Sequence, residues 1–152
     1  MHVITAPEPI HSTSQSPRIF LAGSIEQDLA ERWQDRVIQA LSHLDVTLLN
    51  PRRSAWDASW AQEKSNPQFF EQVSWELDAL EQATHILMYI DPNTKAPITL
   101  LELGLHARSG KVLLCCPQGY WRKGNVDIVC ARFGIPQYDT LDKLIDGLQQ
   151  QL

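Results

Sequence analysis

The stretch 85–107, HILMYIDPNTKAPITLLELGLHA, decides the fold of this chain. Its apolar run, residues 86–90, lacks polar alternation, which indicates a strand buried on both faces. A polar turn over 91–95 separates this strand from Pro97, a residue typical of the first turn of a helix. Glu102 on that helix would lie beyond the carboxyl end of a strand, where open α/β sheets bind ligands. We therefore take Glu102 as the first candidate functional residue.

Glu102 also has a purely structural interpretation. Thr99 followed three positions later by Glu102 fits a capping box, in which both side chains satisfy backbone N–H groups at a helix start. The sequence leaves the two interpretations open. The functional one requires other carboxylates and ligand-binding loops at the same edge of the sheet.

Short apolar segments alternate with helical patterns along the rest of the chain. Strands are predicted at 19–22, 46–49, 112–116 and within 135–138, in addition to the run that ends at residue 90. Continuously apolar strands that alternate with helices are typical of a parallel sheet covered on both faces. The sequence thus predicts an α/β three-layer sandwich with a mostly parallel sheet of about five strands.

The composition places the chain among ordinary globular proteins, with 43% hydrophobic and 20% charged residues. We expect a flexible N-terminal tail over residues 1–17, which are rich in proline and small polar residues, and one domain over 18–152. The net charge of -5 argues against a nucleic-acid polymer or an anionic membrane as partner. A small molecule is the expected partner.

The three cysteines, at positions 115, 116 and 130, have no metal-binding spacing, and their odd number does not form a disulfide framework. No secretory signal or membrane span is recognisable, so we expect a cytoplasmic protein. The chain also lacks a GxGxxG motif and a Walker lysine. The sequence therefore predicts neither a metal nor a cofactor.

Two loops at the predicted carboxyl edge of the sheet carry groups that bind anions. Gly23 and Ser24 stand between a strand and a helical pattern starting at Ile25, an arrangement that can cradle an anion or a hydroxyl, although Ser24 also fits a capping box. Arg52 and Arg53 follow the strand 46–49 and are either phosphate or carboxylate ligands or ordinary surface residues. The aperiodic segment after them, with Trp56 and Trp60, is either a lid that stacks on a flat ligand or a packed loop.

A second carboxylate candidate lies on the helix that precedes the central stretch. Asn66 and Pro67 are a capping residue and a first-turn proline, and the pattern extends to about residue 82. Helical spacing predicts that Glu76 lies at the rim of a buried face formed by Phe70, Val73, Leu77 and Leu80. Glu76 is then either a solvated edge residue or a partner of Glu102.

Five segments of the sequence together resemble the nucleoside 2-deoxyribosyltransferase-like family. The resemblance covers roughly residues 18–135 and is carried by IFLAGSIE at 19–26, NPRR at 50–53, WEL at 75–77, PITLLELG at 97–104 and CPQGYWRKGNV at 116–126. It implies a flavodoxin-like, or Rossmann-like, sheet and cleavage of the N-glycosidic bond of nucleosides or nucleotides. It further implies a homodimer or larger homo-oligomer, because some members complete their sites across a subunit interface.

The resemblance also assigns roles to residues. Glu102 matches the family's nucleophile and Glu76 its second acid, which are the two carboxylates that glycoside chemistry requires. Asn125 resembles an asparagine that reaches into a neighbouring subunit's site in some members. The substrate-binding residues predicted from this match and from the loops above are Ala22, Gly23, Ser24, Asn50, Arg52, Arg53, Trp56, Asp91 and Asn125.

Three residues depart from the family pattern. Phe20 stands where members often have a tyrosine that orients the nucleophile, Ala96 replaces an aspartate, and Glu76 replaces a shorter aspartate. The activity that the resemblance implies is transfer or cleavage at an N-glycosidic bond through a glutamate nucleophile. The alternatives are a nucleoside monophosphate N-glycoside hydrolase and a non-catalytic nucleotide-sensing module.

Overall fold

A computed structural model describes residues 1–11, 15–25, 32–53, 57 and 59–152, and in this part of the chain six parallel strands form one sheet. The strands are β1 (His2–Thr5), β2 (Arg18–Gly23), β3 (Thr47–Asn50), β4 (His85–Tyr89), β5 (Val112–Cys115) and β6 (Gln137–Tyr138). Their order in the sheet is β1-β3-β2-β4-β5-β6, and all neighbours are parallel. Without β1 this is the flavodoxin-like order, which confirms the predicted fold class with one strand more than expected.

The additional strand comes from the N-terminal segment. Residues 2–5 pair with β3 from His2 beside Thr47 to Thr5 beside Asn50, and Ile4 is only 2% exposed. The predicted flexible tail over residues 1–17 is therefore wrong for these four residues. An edge strand of this length is stabilised by its ladder and by one buried side chain, and local composition reveals neither.

Helices cover both faces of the sheet, as the uninterrupted apolar strands predict. They are α1 (Trp33–Ala40), α2 (Pro67–Gln82), α3 (Pro97–His106), α4 (Lys123–Phe133) and α5 (Leu141–Gln149). Along β2, Phe20 and Ala22 pack in the core beneath α2, α3 and α4, whereas Ile19 and Leu21 pack in the core beneath α1 and α5. Among the described residues, no helix combines the length and apolar character needed to cross a membrane.

Helix α2 begins and ends as predicted, but it buries a different face. Asn66 caps it by accepting a hydrogen bond from the Phe69 N–H at 3.0 Å. Phe70 and Leu77, expected in the core, are 51% and 46% exposed. Leu80 is buried as predicted, and the other buried residues of the helix are Gln72, Trp75 and Ala79. Glu76 is half-buried, as its predicted rim position implied, and it follows Gln72 by one helical turn.

Candidate active site

Glu102 is a buried carboxyl on the inner face of α3. The helix begins at Pro97, its N-cap is Ala96, and no side chain caps it, so the capping-box interpretation of Thr99 and Glu102 is wrong. Glu102 lies in the second turn, where it is 8% exposed, whereas the adjacent Leu101 is 58% exposed. Glu102 therefore does not cap the helix, and it remains a candidate functional residue.

The structure brings Glu76 to Glu102. Burial raises the pKa of Glu102, and the negative charge of Glu76 raises it further, to about 8. Helices α2 and α3 follow β3 and β4, which flank β2, so their inner side chains meet above the end of β2, across about 10 Å of sheet. The sequence predicted this pairing of two carboxyls, and their catalytic roles remain predictions.

Glu102 is a protonated acid at neutral pH. Its pKa is about 8, and the negative charge of Glu76 contributes to that value. Burial raises the pKa of Glu76 as well, but a hydrogen bond from Gln72 opposes this effect. Two interacting carboxyls of this kind can act as a proton donor and a proton acceptor in one site.

Gln72 is a site residue that the sequence analysis missed. Its Nε2 donates to Glu76 Oε1 at 2.9 Å and to the Pro51 carbonyl oxygen at 2.8 Å, and the residue is 4% exposed. The available signal was its position four residues before Glu76, which places both side chains on one helical face. A glutamine in a helix has no chemical signature of its own, so this spacing alone could have indicated it.

The predicted cradle at Ser24 is a hydrogen-bonded junction between the ends of β2 and β4. The Ser24 N–H donates to the Tyr89 carbonyl at 3.1 Å, and the Asp91 N–H donates to Ser24 Oγ at 3.0 Å. The Thr94 hydroxyl donates to the Asp91 carbonyl at 2.9 Å, so Ser24 is the donor in its 2.7 Å bond with Thr94. Both donors of Ser24 are used within the protein, and the residue holds the loop that leads into α3.

Asp91 and Gly23 shape the same junction. The Asp91 carboxylate accepts hydrogen bonds from the backbone and side chain of Asn93, at 2.8 and 3.1 Å, and the residue is 6% exposed. Gly23 has a φ of +151°, and a Cβ there would overlap the Tyr89 carbonyl oxygen. Ala22, next to it, is 1% exposed beneath the α2–α4 layer. These residues form the floor at the point where the strand order reverses, the usual ligand position in this fold.

The helix predicted to follow this junction differs in its position. Ile25 is not helical, and α1 begins at Trp33 with Arg32 as its N-cap and no side-chain cap. Residues 26–31, which the predicted helix includes, lie outside the described residues. Trp33 instead donates through Nε1 to the Ser24 carbonyl at 3.1 Å, which ties α1 to the junction.

The loop after β3 also approaches the carboxyl pair, through Pro51. Asn50 Oδ1 accepts a hydrogen bond from the Arg52 N–H at 3.0 Å, which closes a turn. The Arg52 guanidinium donates to Gln34 Oε1 at 3.5 Å. Arg53 forms a 3.1 Å ion pair with the exposed Glu71, and its guanidinium lies 5.2 Å from the centre of the Trp60 ring. Both arginines thus have protein partners, and Trp56 lies outside the described residues.

Comparison with known proteins agrees with this geometry. The model of a family described as "Nucleoside 2-deoxyribosyltransferase like" matches residues 16–120. The chain belongs to this family. A crystal structure of a conserved protein from Enterococcus faecalis V583 has the same fold, with a TM-score of 0.65 and 14% identity over 90% of this chain and 99% of that one. No curated protein matches the chain.

Two of the departures from the deoxyribosyltransferase-like pattern lie in the core. Phe20 is completely buried and has no hydroxyl to offer the carboxyl pair. Ala96 is 4% exposed and adopts a left-handed conformation, with φ of 46°, immediately before α3. The Lys95 carbonyl before it accepts a hydrogen bond from the Tyr120 hydroxyl at 2.6 Å. This turn therefore positions α3 through backbone geometry, without an acidic side chain at residue 96.

Asn125 is exposed on α4 and lines a groove of about 350 Å³ between α3 and α4, together with Leu103, Trp121 and Arg122 among others. Its role in the substrate site of this deoxyribosyltransferase-like protein remains a prediction.

Proposed function

We propose that this protein cleaves the N-glycosidic bond of nucleosides or nucleotides, with Glu102 as the nucleophile and Glu76 as the group that assists the departing base. The observation that carries the proposal is the buried carboxyl of Glu102, whose pKa is raised further by the charge of Glu76. Family membership and the position of the pair beside the strand-order reversal support it.

A proton held by Glu102 gives a balanced first step. A Glu102 oxygen bonds to C1′ of the sugar while the bond between C1′ and the base nitrogen breaks. The Glu102 proton passes to Glu76 and from there to the departing base, so Glu76 ends the step ionised as it began. The product is a glycosyl ester on Glu102. A second base then completes transfer, or water completes hydrolysis.

The test is release of free base from a panel of nucleosides and deoxynucleosides, with and without a 5′-phosphate, followed by chromatography. We expect release with the wild-type protein and a loss of at least about 1,000-fold in kcat for Glu102→Gln, which keeps the shape but removes the nucleophile. Glu81→Gln, on an exposed glutamate of α2, is the control and should retain activity. Normal turnover by Glu102→Gln would end the assignment. Addition of a second base distinguishes a transferase from a hydrolase.

A non-catalytic nucleotide-sensing module is the second candidate function. The fully buried Phe20 favours it, because a nucleophile without an orienting hydroxyl is less well prepared for attack. Calorimetry with the same panel separates the two functions. Binding without any release of base would favour the sensor, whereas base release in proportion to enzyme concentration would exclude it.

The loop after β3 is the proposed contact for a 5′-phosphate. Arg52 already donates to the neutral Gln34, and Arg53 forms an ion pair with Glu71. A phosphate could replace these acceptors and form charge-assisted hydrogen bonds with both arginines. An Arg52→Ala/Arg53→Ala double variant should lose affinity for nucleotides but keep affinity for nucleosides. Equal losses for both ligand classes would remove this assignment.

We also propose that the protein forms a homo-oligomer through its α2–α4 layer. The described residues of α1 and α5 expose no large apolar side chain. The three helices of the α2–α4 layer, in contrast, expose Phe70, Leu77, Ile98, Leu101, Leu105, Ile128 and Phe133. Light scattering should show Leu101→Lys shifted towards monomer, whereas Asp146→Lys on the opposite layer should retain the wild-type mass. A monomeric wild-type protein would refute the proposal.

A cytoplasmic location is proposed as well, and the three free, buried cysteines support it. Fractionation of cells that express the tagged full chain would test it. Recovery of the protein in a secreted fraction would contradict it.

A further inference from the structure

Gln72 is held in a single orientation by its neighbours. Both of its hydrogen-bond acceptors, Glu76 Oε1 and the Pro51 carbonyl, lie on the Nε2 side at 2.9 and 2.8 Å. A flipped amide would place its oxygen against a carboxylate and a carbonyl, and it would lose both bonds. The side chain therefore clamps the Glu76 carboxylate to the loop after β3.

The described contacts of the Gln72 amide are all made by its Nε2 group. Gln72 Oε1 is buried, and no described residue donates a hydrogen bond to it. The described residues that hold this amide are therefore Glu76 and the loop after β3.

We propose that Gln72 is a positioning residue, whose amide fixes the Glu76 carboxylate as the ionised member of the carboxyl pair and leaves the transferable proton on Glu102. The proton arrangement stands on the hydrogen bond from Gln72 to Glu76, and its use in catalysis rests on the proposed function. In the step described above, Glu76 must be charged to accept the Glu102 proton. A charge-assisted hydrogen bond from Nε2 stabilises that form selectively.

The other charged groups near the pair do not replace this bond. Glu102 faces Glu76 from α3 and is the acid that it influences. Arg53, on the loop after β3, forms its ion pair with Glu71, whose side chain is 55% exposed. The neutral amide of Gln72 is thus the described neighbour that counteracts the effect of burial on Glu76.

The test is a carbon-13 NMR titration of the glutamate carboxyl groups in the full-length wild type and in Gln72→Met. In the wild type, Glu76 should ionise before Glu102. In Gln72→Met, the Glu76 midpoint should rise by about one to two pH units, the value of one charge-assisted hydrogen bond. Gln34→Met is the matched control, because Gln34 is also buried and one atom of its amide, Nε2, likewise has no partner among the described residues. It should leave both midpoints in place.

Activity supplies a second readout. The acid limb of the kcat/KM profile, which reports ionisation of Glu76, should move upward with the NMR midpoint in Gln72→Met and stay in place in Gln34→Met. An unchanged Glu76 midpoint, or a wild type in which Glu102 ionises first, overturns the inference. If Gln72→Met does not fold, the order in which Glu76 and Glu102 ionise in the wild type still tests the inference. Absence of base release by the wild type would refute the proposed reaction, but the NMR result would still decide the role of Gln72.

Discussion

Glu102 should make the folded protein less stable as the pH rises, and Glu102→Gln should remove this dependence. The pKa of Glu102 is about 8 in the folded state, against an ordinary value of 4.5. A raised pKa means that the folded state retains the proton which the unfolded chain releases. The associated stability is complete below pH 4.5 and is lost progressively as the pH rises to 8.

The expected magnitude follows from the two pKa values. They differ by about 3.5 pH units, and each unit corresponds to about 1.4 kcal/mol, so the loss amounts to about 5 kcal/mol. The residue is 8% exposed, so solvent screens this effect little. Domains are commonly stable by only 5–15 kcal/mol, and such a loss is therefore readily measured.

The assay is urea unfolding followed by the fluorescence of the tryptophans, at several pH values from 4.5 to 8. The free energy of unfolding of Glu102→Gln minus that of wild type should increase by about 5 kcal/mol over this range. The difference isolates Glu102, because His85 and His106, whose pKa values are lowered by burial, contribute equally to both proteins. Glu8→Gln, on an exposed glutamate, should parallel the wild type. Parallel curves for Glu102→Gln and wild type would refute the buried, protonated carboxyl.

Three further measurements test the surrounding structure. Gly23→Ala should lower the free energy of unfolding by about 3 kcal/mol, because its Cβ would overlap the Tyr89 carbonyl oxygen. Gly124→Ala is the control and should leave the free energy of unfolding unchanged, because no atom lies within 4 Å of the added Cβ. Equal losses for the two variants in urea titrations would contradict this. Asn66→Ala should cost about 1 kcal/mol through loss of the α2 cap, and an unchanged urea midpoint would show that the cap contributes nothing. A thiol reagent at pH 7.5 should label no cysteine in the native protein and all of them after unfolding, because burial raises their pKa values to about 11 or 12; rapid native labelling would contradict the buried positions of Cys115, Cys116 and Cys130.

The boundaries of α2 were predictable, but its buried face was not. Asn66 and Pro67 act through their immediate neighbours, so the helix start is readable from the sequence. The buried face depends on what the helix packs against. Trp75 is drawn inward, with its Nε1 bonded to the Glu8 carbonyl at 2.7 Å, and this rotates Phe70 and Leu77 towards solvent. Counting apolar residues along the helix favoured the wrong face, although Glu76 is half-buried, as its predicted rim position implied.

The interpretation of Glu102 illustrates the same limit. A Thr and a Glu three positions apart are compatible with a helix cap, and sequence spacing cannot distinguish a cap from a buried carboxyl. Ala96 in a left-handed conformation starts the helix at Pro97, which places Glu102 in the second turn and turns it inward. The backbone of one loop, not the side-chain pattern, settled this question.

The sequence was sufficient for the parallel α/β architecture and for the family, because long apolar runs, caps and motif order are local properties of a chain. It also singled out two glutamates, Glu76 and Glu102, as candidates. It was insufficient for the protonation state of those glutamates and for the contribution of Gln72. A carboxyl with a pKa near 8 requires burial and a nearby charge, and the charge comes from a helix on the far side of a strand. Folding alone creates that proximity, since residues 76 and 102 meet above β2 only after three strands have assembled between two layers of helices.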